Sequence, residues 1–510
     1  MSGGGFFNLL NKNIKDFNKI MLSLGCISFL FLMGLLSYKI NNSSYAYFTD
    51  KVQGKETIEM TYVKPNLDKS GANAPLLSSN MIPVYYDEVD DVWRKADSTN
   101  TDKNYKWYDY DNKMWANAVT VTETNRSTYL SANAGTEISM SDINTMWVWI
   151  PRYTYTYFSS STPAEIQIKF EDGVSSSGTI SCSDVLYQTD SDGNAISEKC
   201  IDSLGNLVVG TSTYTHPAFT FGSEELTGIW VGKFEVSSNI SCTPVSYRSV
   251  GEFCNLRTIR PKIVPNVYSW RGASVSTFYY DIYDMRESGN QYGFNANDEV
   301  HMMKNMEWGA VTYLAHSKYG RCTDGVCTEV QVNSYYKSIY DSTNAIHFKY
   351  MKTGCGPQAD GSTSYDEVCN EYNTVLGKLA STTGNVYGIY DMSGGSYDSV
   401  MGNTVDHSST YGAFYSSSSE FTTAPGKRYY DQYNYGDSQY DSSRGKLGDA
   451  TKETYNWYKD DHSFPWSNAS WFNRGGLYGN GTSNGLFNYG RYTACAEDYI
   501  STRAVISNLK

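Results

Sequence analysis

"GIYDMSGGSYDSVMGN", residues 388–403, can be a catalytic loop, a metal site or a tight turn that closes a domain. Tyr390, Asp391 and Met392 lead into Gly394-Gly395, and Tyr397 and Asp398 follow. A Gly pair suits backbone that must take positive φ or pass close to another segment. Asp391 and Asp398 are the residues that accept bonds from nearby N–H groups in such turns. The stretch reads best as a strand, a Gly-Gly turn and a return into a sheet, which marks a fold more than a reaction.

Outward from it, strand-like and helix-like segments alternate with long polar loops. "MWVWIPRYTYTYF" (146–158) alternates apolar and polar residues after Pro151, and "GIWVGKFEVSS" (228–238) is a second strand. The Ser/Gly/Asp-rich residues 160–214 form an inserted loop or hairpin. "ASVSTFYYDIYDMRESG" (273–289) predicts a helix ended by Gly289. So does "NDEVHMMKNMEWGAVTYLAHSKYG" (297–320), capped by Asn297 and stopped at Gly320. Its Met and aromatic stripe has helical spacing and reads as core. Residues 321–470 are Ser/Tyr/Gly/Asp-rich with short strand-like pieces.

Composition narrows the functions. A net charge of −13 excludes a nucleic-acid partner, which wants a basic face. The chain carries 45 Tyr. Tyr serves adaptable binding surfaces and is also a favoured strand residue, so both readings stand. Lys12, Lys15 and Lys19 precede an apolar run from Ile20 to Tyr38, which is long enough to cross a membrane. The basic flank places residues 1–19 in the cytoplasm and the rest at the cell surface. Ser44-Tyr45-Ala46 offers a cleavage site after Ala46, so the chain is either anchored by residues 20–38 or secreted. Residues 39–80 read as a linker, 81–210 as a β-rich part with an inserted loop, and 211–510 as a further domain.

Cysteine spacing agrees with an oxidising compartment. Among ten Cys, Cys182/Cys200, Cys242/Cys254, Cys322/Cys327 and Cys355/Cys369 fall as close pairs. Cys26 lies in the apolar run and Cys495 stands alone. The six His (His216, His301, His316, His347, His407, His462) show no metal-site spacing. A GxSxG elbow is absent. A two-carboxylate site among the many Asp and Glu has nothing to single it out.

Six segments, in order, resemble the formylglycine-generating enzyme / sulfatase-modifying factor family. They are "KFEVS" (233–237), "PNVYSWRGA" (265–273), "NMEW" (305–308), "YGIYDMSGG" (387–395), "WFNRGG" (471–476) and "STRAVIS" (501–507). The resemblance implies an α+β, C-type-lectin-like domain over 211–510 with long loop insertions, preceded by an N-terminal membrane helix. "AYFTD", from Ala46, resembles the mature start of TasA/camelysin-type surface proteins. Family enzymes hold copper(I) between two Cys in a C-x4-C spacing before the last strand. Here Cys495 matches the second Cys and Gly490 replaces the first, and one thiolate does not make a soft copper(I) centre. The family's "GNVWEW" loop helps hold structural calcium. Gly395 stands for its Asn and Asp398 for its Glu, which leaves a structural calcium open and no other cofactor expected.

The resulting expectation is a non-catalytic, disulfide-stapled, ligand-binding protein of adhesin or receptor type, of bacterial surface character. Its ligand is a protein or a carbohydrate. In related folds the segment before the last strand forms the ligand face, here residues 476–498. Tyr478, Phe487, Tyr489, Arg491 and Tyr492 are the expected contacts. The Asn/Tyr/Ser/Gly/Asp-rich segment also matches the variable positions of diversity-generating-retroelement proteins. Two alternatives stay open: an extracellular enzyme of the same family, with Cys495 activated by Arg491, and a structural envelope or matrix subunit.

Overall fold

The strand segments of this chain are short, and those at the centre of its largest sheet are apolar on both faces. In the computed structural model, residues 65–508 are described apart from 157, 159–161, 178–185, 190–194, 200–212, 239–254, 341–345, 360–367, 406–413, 415–418, 467–468 and 480–482. The apolar run 20–38 and the Ala46 site lie outside the described residues. Among the described residues no helix is long and apolar enough to cross a membrane. The chain divides into two compact units, Met1–Asn66 and Leu67–Lys510. Everything that follows concerns the second.

The strands of its two larger sheets are, in chain order, β1 (Ile82–Asp87), β2 (Val92–Lys95), β3 (Asn117–Val121), β4 (Ile143–Pro151), β5 (Gly228–Gly232) and β6 (Val300–Met302). They continue with β7 (Tyr397–Thr404), β8 (Asp431–Tyr433), β9 (Trp471–Arg474), β10 (Tyr489–Tyr492), β11 (Ile500–Thr502) and β12 (Ala504–Ile506). The helices are α1 (Glu123–Ser131), α2 (Val275–Tyr283) and α3 (Asn305–Ala315). The architecture is α+β. One antiparallel sheet runs β6-β12-β5-β4-β3-β1-β2, and a mixed sheet runs β8-β7-β9-β10 with β11 also paired to β7.

The seven-stranded sheet takes strands from both sides of residue 210, so the β-rich N-terminal part is not a separate domain. Trp230 of β5 pairs with Trp149 of β4 on one side and with Ile506 of β12 on the other. The linker also ends earlier than residue 80, because Asp68 is buried and accepts the Tyr110 N–H at 2.8 Å. Every residue of β4 is buried, as a central strand covered on both faces requires. Pro151 ends it, and Tyr153–Thr156 starts a small separate sheet with Ile168–Phe170 and Thr213–Thr215.

α2 falls inside the predicted helix, with the Ser274 hydroxyl accepting from the Thr277 N–H as its cap. α3 is shorter than the predicted 297–320. Glu299 has a positive φ of 29°, and Val300–Met302 joins the sheet edge as β6. The helix therefore begins only after Lys304, whose N–H bonds the Glu307 carboxylate at 2.8 Å. α1 lies in a stretch without apolar periodicity and buries none of its residues.

The stretch 388–403 is half as expected. Residues 388–396 are irregular and bend through Asp391, Gly394 and Gly395, all at positive φ (60°, 76° and 72°). The strand comes only after the Gly pair, as β7. Gly394 and Gly395 are required for a second reason. A Cβ on Gly394 would lie 2.6 Å from the Asn333 carbonyl oxygen, and one on Gly395 would lie 2.8 Å from a Glu235 carboxylate oxygen.

Candidate functional site

The six segments of family resemblance meet inside the molecule. Lys233 and Glu235 come from the first, Ser269 from the second, Asp391 and the Gly pair from the fourth, and Arg503 from the sixth. Arg503 is fully buried and donates four hydrogen bonds. Its guanidinium donates to the Gly232 carbonyl at 2.8 Å, to the Tyr390 carbonyl at 2.9 Å, and twice to Asp398 Oδ2 at 3.0 and 3.2 Å. Asp391 accepts the Gly354 N–H at 2.8 Å and the Asn333 amide at 2.8 Å. Glu235 accepts the Ser396 N–H at 2.9 Å and bonds the Ser269 hydroxyl. Trp308 of the third segment donates to the Leu486 carbonyl at 2.9 Å and lies under Arg474 of the fifth, 5.6 Å from its ring centre.

Three carboxylates around one guanidinium cannot all stay ionised without cost. Burial, then Asp398 and Asp391, push Glu235 well above the usual carboxylate range. Burial and Asp391 raise Asp398 to about 6 against the pull of Arg503, and burial raises Asp391 too. This knot has no opening to solvent: Glu235, Asp398 and Arg503 are all fully buried. It holds the Gly-Gly turn, β5, β7 and the last strands together.

The candidate surface is the end of the mixed sheet, where β10 is an edge strand. Four of the five expected contacts turn out to be foundation. Tyr478, Phe487, Tyr489 and Tyr492 are buried, with Tyr478 against Tyr336 at 4.2 Å and Phe487 against Trp457 at 4.9 Å between ring centres. Alternation along a strand edge and Tyr packing under loops produced the same composition as a paratope would. Arg491 is half-buried. It donates to the Gln439 side chain at 2.6 Å and lies over the Trp466 ring at 5.6 Å. Beyond it Thr493, Cys495, Ala496, Glu497, Asp498 and Tyr499 are half-buried, and Tyr499 meets Tyr397 edge-on at 6.2 Å. Gln439 and Trp466, which complete this rim, come from loops whose sequence carried no signal.

The copper chemistry does not fit. Gly490 pairs with Asn473 across β9 and β10, and a Cβ on it would lie 2.2 Å from the Asn473 amide oxygen. A side chain there would have to displace that of Asn473. Cys495 bonds Thr493 at 3.0 Å and Glu497 at 2.9 Å. Burial and the Glu497 carboxylate push its thiol up, so it is not the thiolate that activation by Arg491 would make. Asp398, the expected calcium ligand, is fully buried and accepts from Arg503 at Oδ2.

Cys322–Cys327 and Cys355–Cys369 are disulfides, and Cys182, Cys200, Cys242 and Cys254 lie outside the described residues. His316 lies against the Cys322–Cys327 sulfurs, which as a disulfide offer no thiolate to a metal.

No protein-family model matches the chain, and no curated protein matches it. Among solved structures, Treponema denticola variable protein 1 is similar at 12% identity over 58% of this chain and 88% of that chain, with a TM-score of 0.23. At that score the likeness carries no argument about fold or function.

Proposed function

We propose that this chain is a surface-displayed, non-catalytic ligand-binding protein of adhesin or receptor type. In this reading the chain is a C-type-lectin-like derivative of the formylglycine-generating family, anchored through residues 20–38. The observation that supports it most is the contrast at the closing strands. The knot around Arg503 keeps the framework residues of the resemblance, while the place of the first copper thiolate is Gly490, packed against the Asn473 side chain. A rigid aromatic foundation under a half-exposed rim of Arg491, Trp466, Gln439 and residues 493–499 suits recognition. Its ligand is a protein or a carbohydrate with polar groups for the rim and a face for Trp466.

Panning the full chain against glycan and surface-protein arrays, with Arg491→Ala and Trp466→Ala in parallel, tests the reading. Binding that both variants lose supports it. Copper-dependent conversion of a Cys peptide to its aldehyde by the full chain would overturn it. The sharper version, a variable protein of a diversity-generating retroelement, requires a near-identical template repeat and a reverse transcriptase beside the gene.

A further inference from the structure

A second site lies at the hairpin closed by Cys322–Cys327 and shares no residue with the rim around Arg491. There Lys113, Gly320, Arg321, Thr323, Thr328 and Thr383 line a cleft of about 270 Å³.

 A separate cleft of about 390 Å³ is lined by the carboxylates of Asp281, Asp284 and Glu287. The hairpin cleft is the smaller one and has the opposite character.

Its two cations are held in place by uncharged groups. Lys113 sits in a left-handed turn at φ 59°, with its carbonyl held by the Asn385 amide at 3.0 Å. Its ammonium donates to the Cys322 carbonyl at 2.9 Å and to the Thr323 hydroxyl at 2.8 Å, which leaves a third proton. The Arg321 guanidinium donates through Nη2 to the Glu329 carbonyl at 3.0 Å. Its Nη1 lies where a Cβ on Gly384 would come within 2.7 Å, and Gly384 has φ +74°. Gly384 thus leaves room for the guanidinium to lie flat on the backbone.

Among the described residues neither cation forms an ion pair within 4.0 Å. Burial and the charge of Arg321 pull the Lys113 ammonium down, with Glu165 acting weakly the other way, and burial pulls Arg321 down as well. Two cations brought together by a disulfide-closed hairpin, in a chain of net charge −13, form a local positive well in a negative field. The Thr323 hydroxyl, which accepts from Lys113, adds its own proton as a donor to the same guest.

We infer that the cleft between Lys113 and Arg321 binds a compact oxyanion, a sulfate or phosphate group that is either free or carried on a saccharide. Arg321 offers its free Nη1 and Lys113 its third proton, the charge-assisted donors that such groups prefer.

Titration calorimetry on the full chain in detergent, with disulfides intact and chloride constant, tests this with inorganic sulfate, inorganic phosphate, galactose 6-sulfate and galactose. Wild type is expected to bind at least one of the anionic probes saturably and to ignore galactose. Arg321→Gln and Lys113→Gln should each weaken binding about tenfold or more, the loss of one charge-assisted bond. Arg321→Lys keeps the charge but not the fork and should also weaken it, which covers the case in which Arg321→Gln fails to fold. Lys427→Gln, on the surface, and Arg491→Ala, outside the cleft lining, should leave it unchanged, so failure here and failure of the ligand-face reading are told apart. Tighter binding of galactose 6-sulfate than of inorganic sulfate means the group is carried on a sugar, and equal binding means a free anion. No saturable binding of any anionic probe, or equal loss in Lys427→Gln, overturns the site.

Discussion

The knot around Arg503 and the rim around Arg491 each place one arginine beside aromatic and polar neighbours, and they are built for opposite ends. Arg503 is fully buried and spends its guanidinium on two carbonyls and Asp398. Arg491 is half-buried, donates to one amide side chain, and lies over the Trp466 ring. A dry guanidinium with most of its donors taken fixes geometry, whereas a partly used one at a strand edge is available to a guest. In the proposed reading, scaffold and binding surface separate by how many of an arginine's donors are already taken.

The largest effect should come from breaking the knot. Arg503→Met leaves Asp398 and Asp391 buried without their cation and should cost about 3–5 kcal/mol, read from the urea midpoint of unfolding. Asp398→Asn removes a charge instead of stranding one and should cost clearly less. Equal costs would mean that shape, and not charge pairing, holds the knot. Gly394→Ala comes next. Its Cβ would meet Val332 at 2.4 Å and the Asn333 carbonyl at 2.6 Å, at a φ of 76°, so a loss of about 1–3 kcal/mol is expected. A neutral Gly394→Ala would show that the turn relaxes freely.

What was legible in the sequence follows the same division. The segments that converge on the knot could be singled out because a buried charge pair, a Gly-Gly turn and a closing Arg each demand particular residue types. The rim could not. Arg491 was found because it lies on the closing segment, but Gln439 and Trp466 reach it from loops distant in sequence. Tyr478, Phe487, Tyr489 and Tyr492 were taken for contacts because Tyr and Phe serve cores and paratopes equally, and only burial separates the two. α3 was drawn too long for a similar reason. The stripe of Met303, Met306 and Ala310 continues across Lys304, although the backbone before it belongs to a sheet edge.

pH sharpens the comparison between the knot and the neutral core. Asp398 is raised to about 6 from an ordinary value of 3.8, chiefly by burial. The folded state then holds more protons than the unfolded one between about pH 4 and 6, so this group lowers stability as pH rises through that window. The penalty is complete above the folded value. Burial lowers His216 to about 3 and His316 to about 4. For these the unfolded state holds the extra proton below about 6.5, so stability falls as pH drops. The opposing slopes overlap in the wild type. Subtracting the Asp398→Asn curve from the wild-type curve isolates the first, and the difference should decline from pH 4 to pH 6 and then level off. A flat difference would show that Arg503 keeps Asp398 ionised throughout.

The smallest effects on stability, and the most informative about function, belong to the rim. Arg491→Ala removes one bond to Gln439 and a contact with Trp466 on a half-exposed edge, and should change stability by about 1 kcal/mol or less. Cys495 offers a matched test within the same segment. Burial and Glu497 hold its thiol up, so alkylation by iodoacetamide at pH 7 should be slow. Glu497→Gln removes the carboxylate that accepts the Cys495 S–H and should speed it several-fold. Fast alkylation in the wild type would mean that a thiolate forms there despite its neighbours, and would bring a reactive cysteine back into contention. A slow wild type with a faster Glu497→Gln would leave the segment as a recognition surface whose one thiol is kept quiet by the carboxylate two residues away.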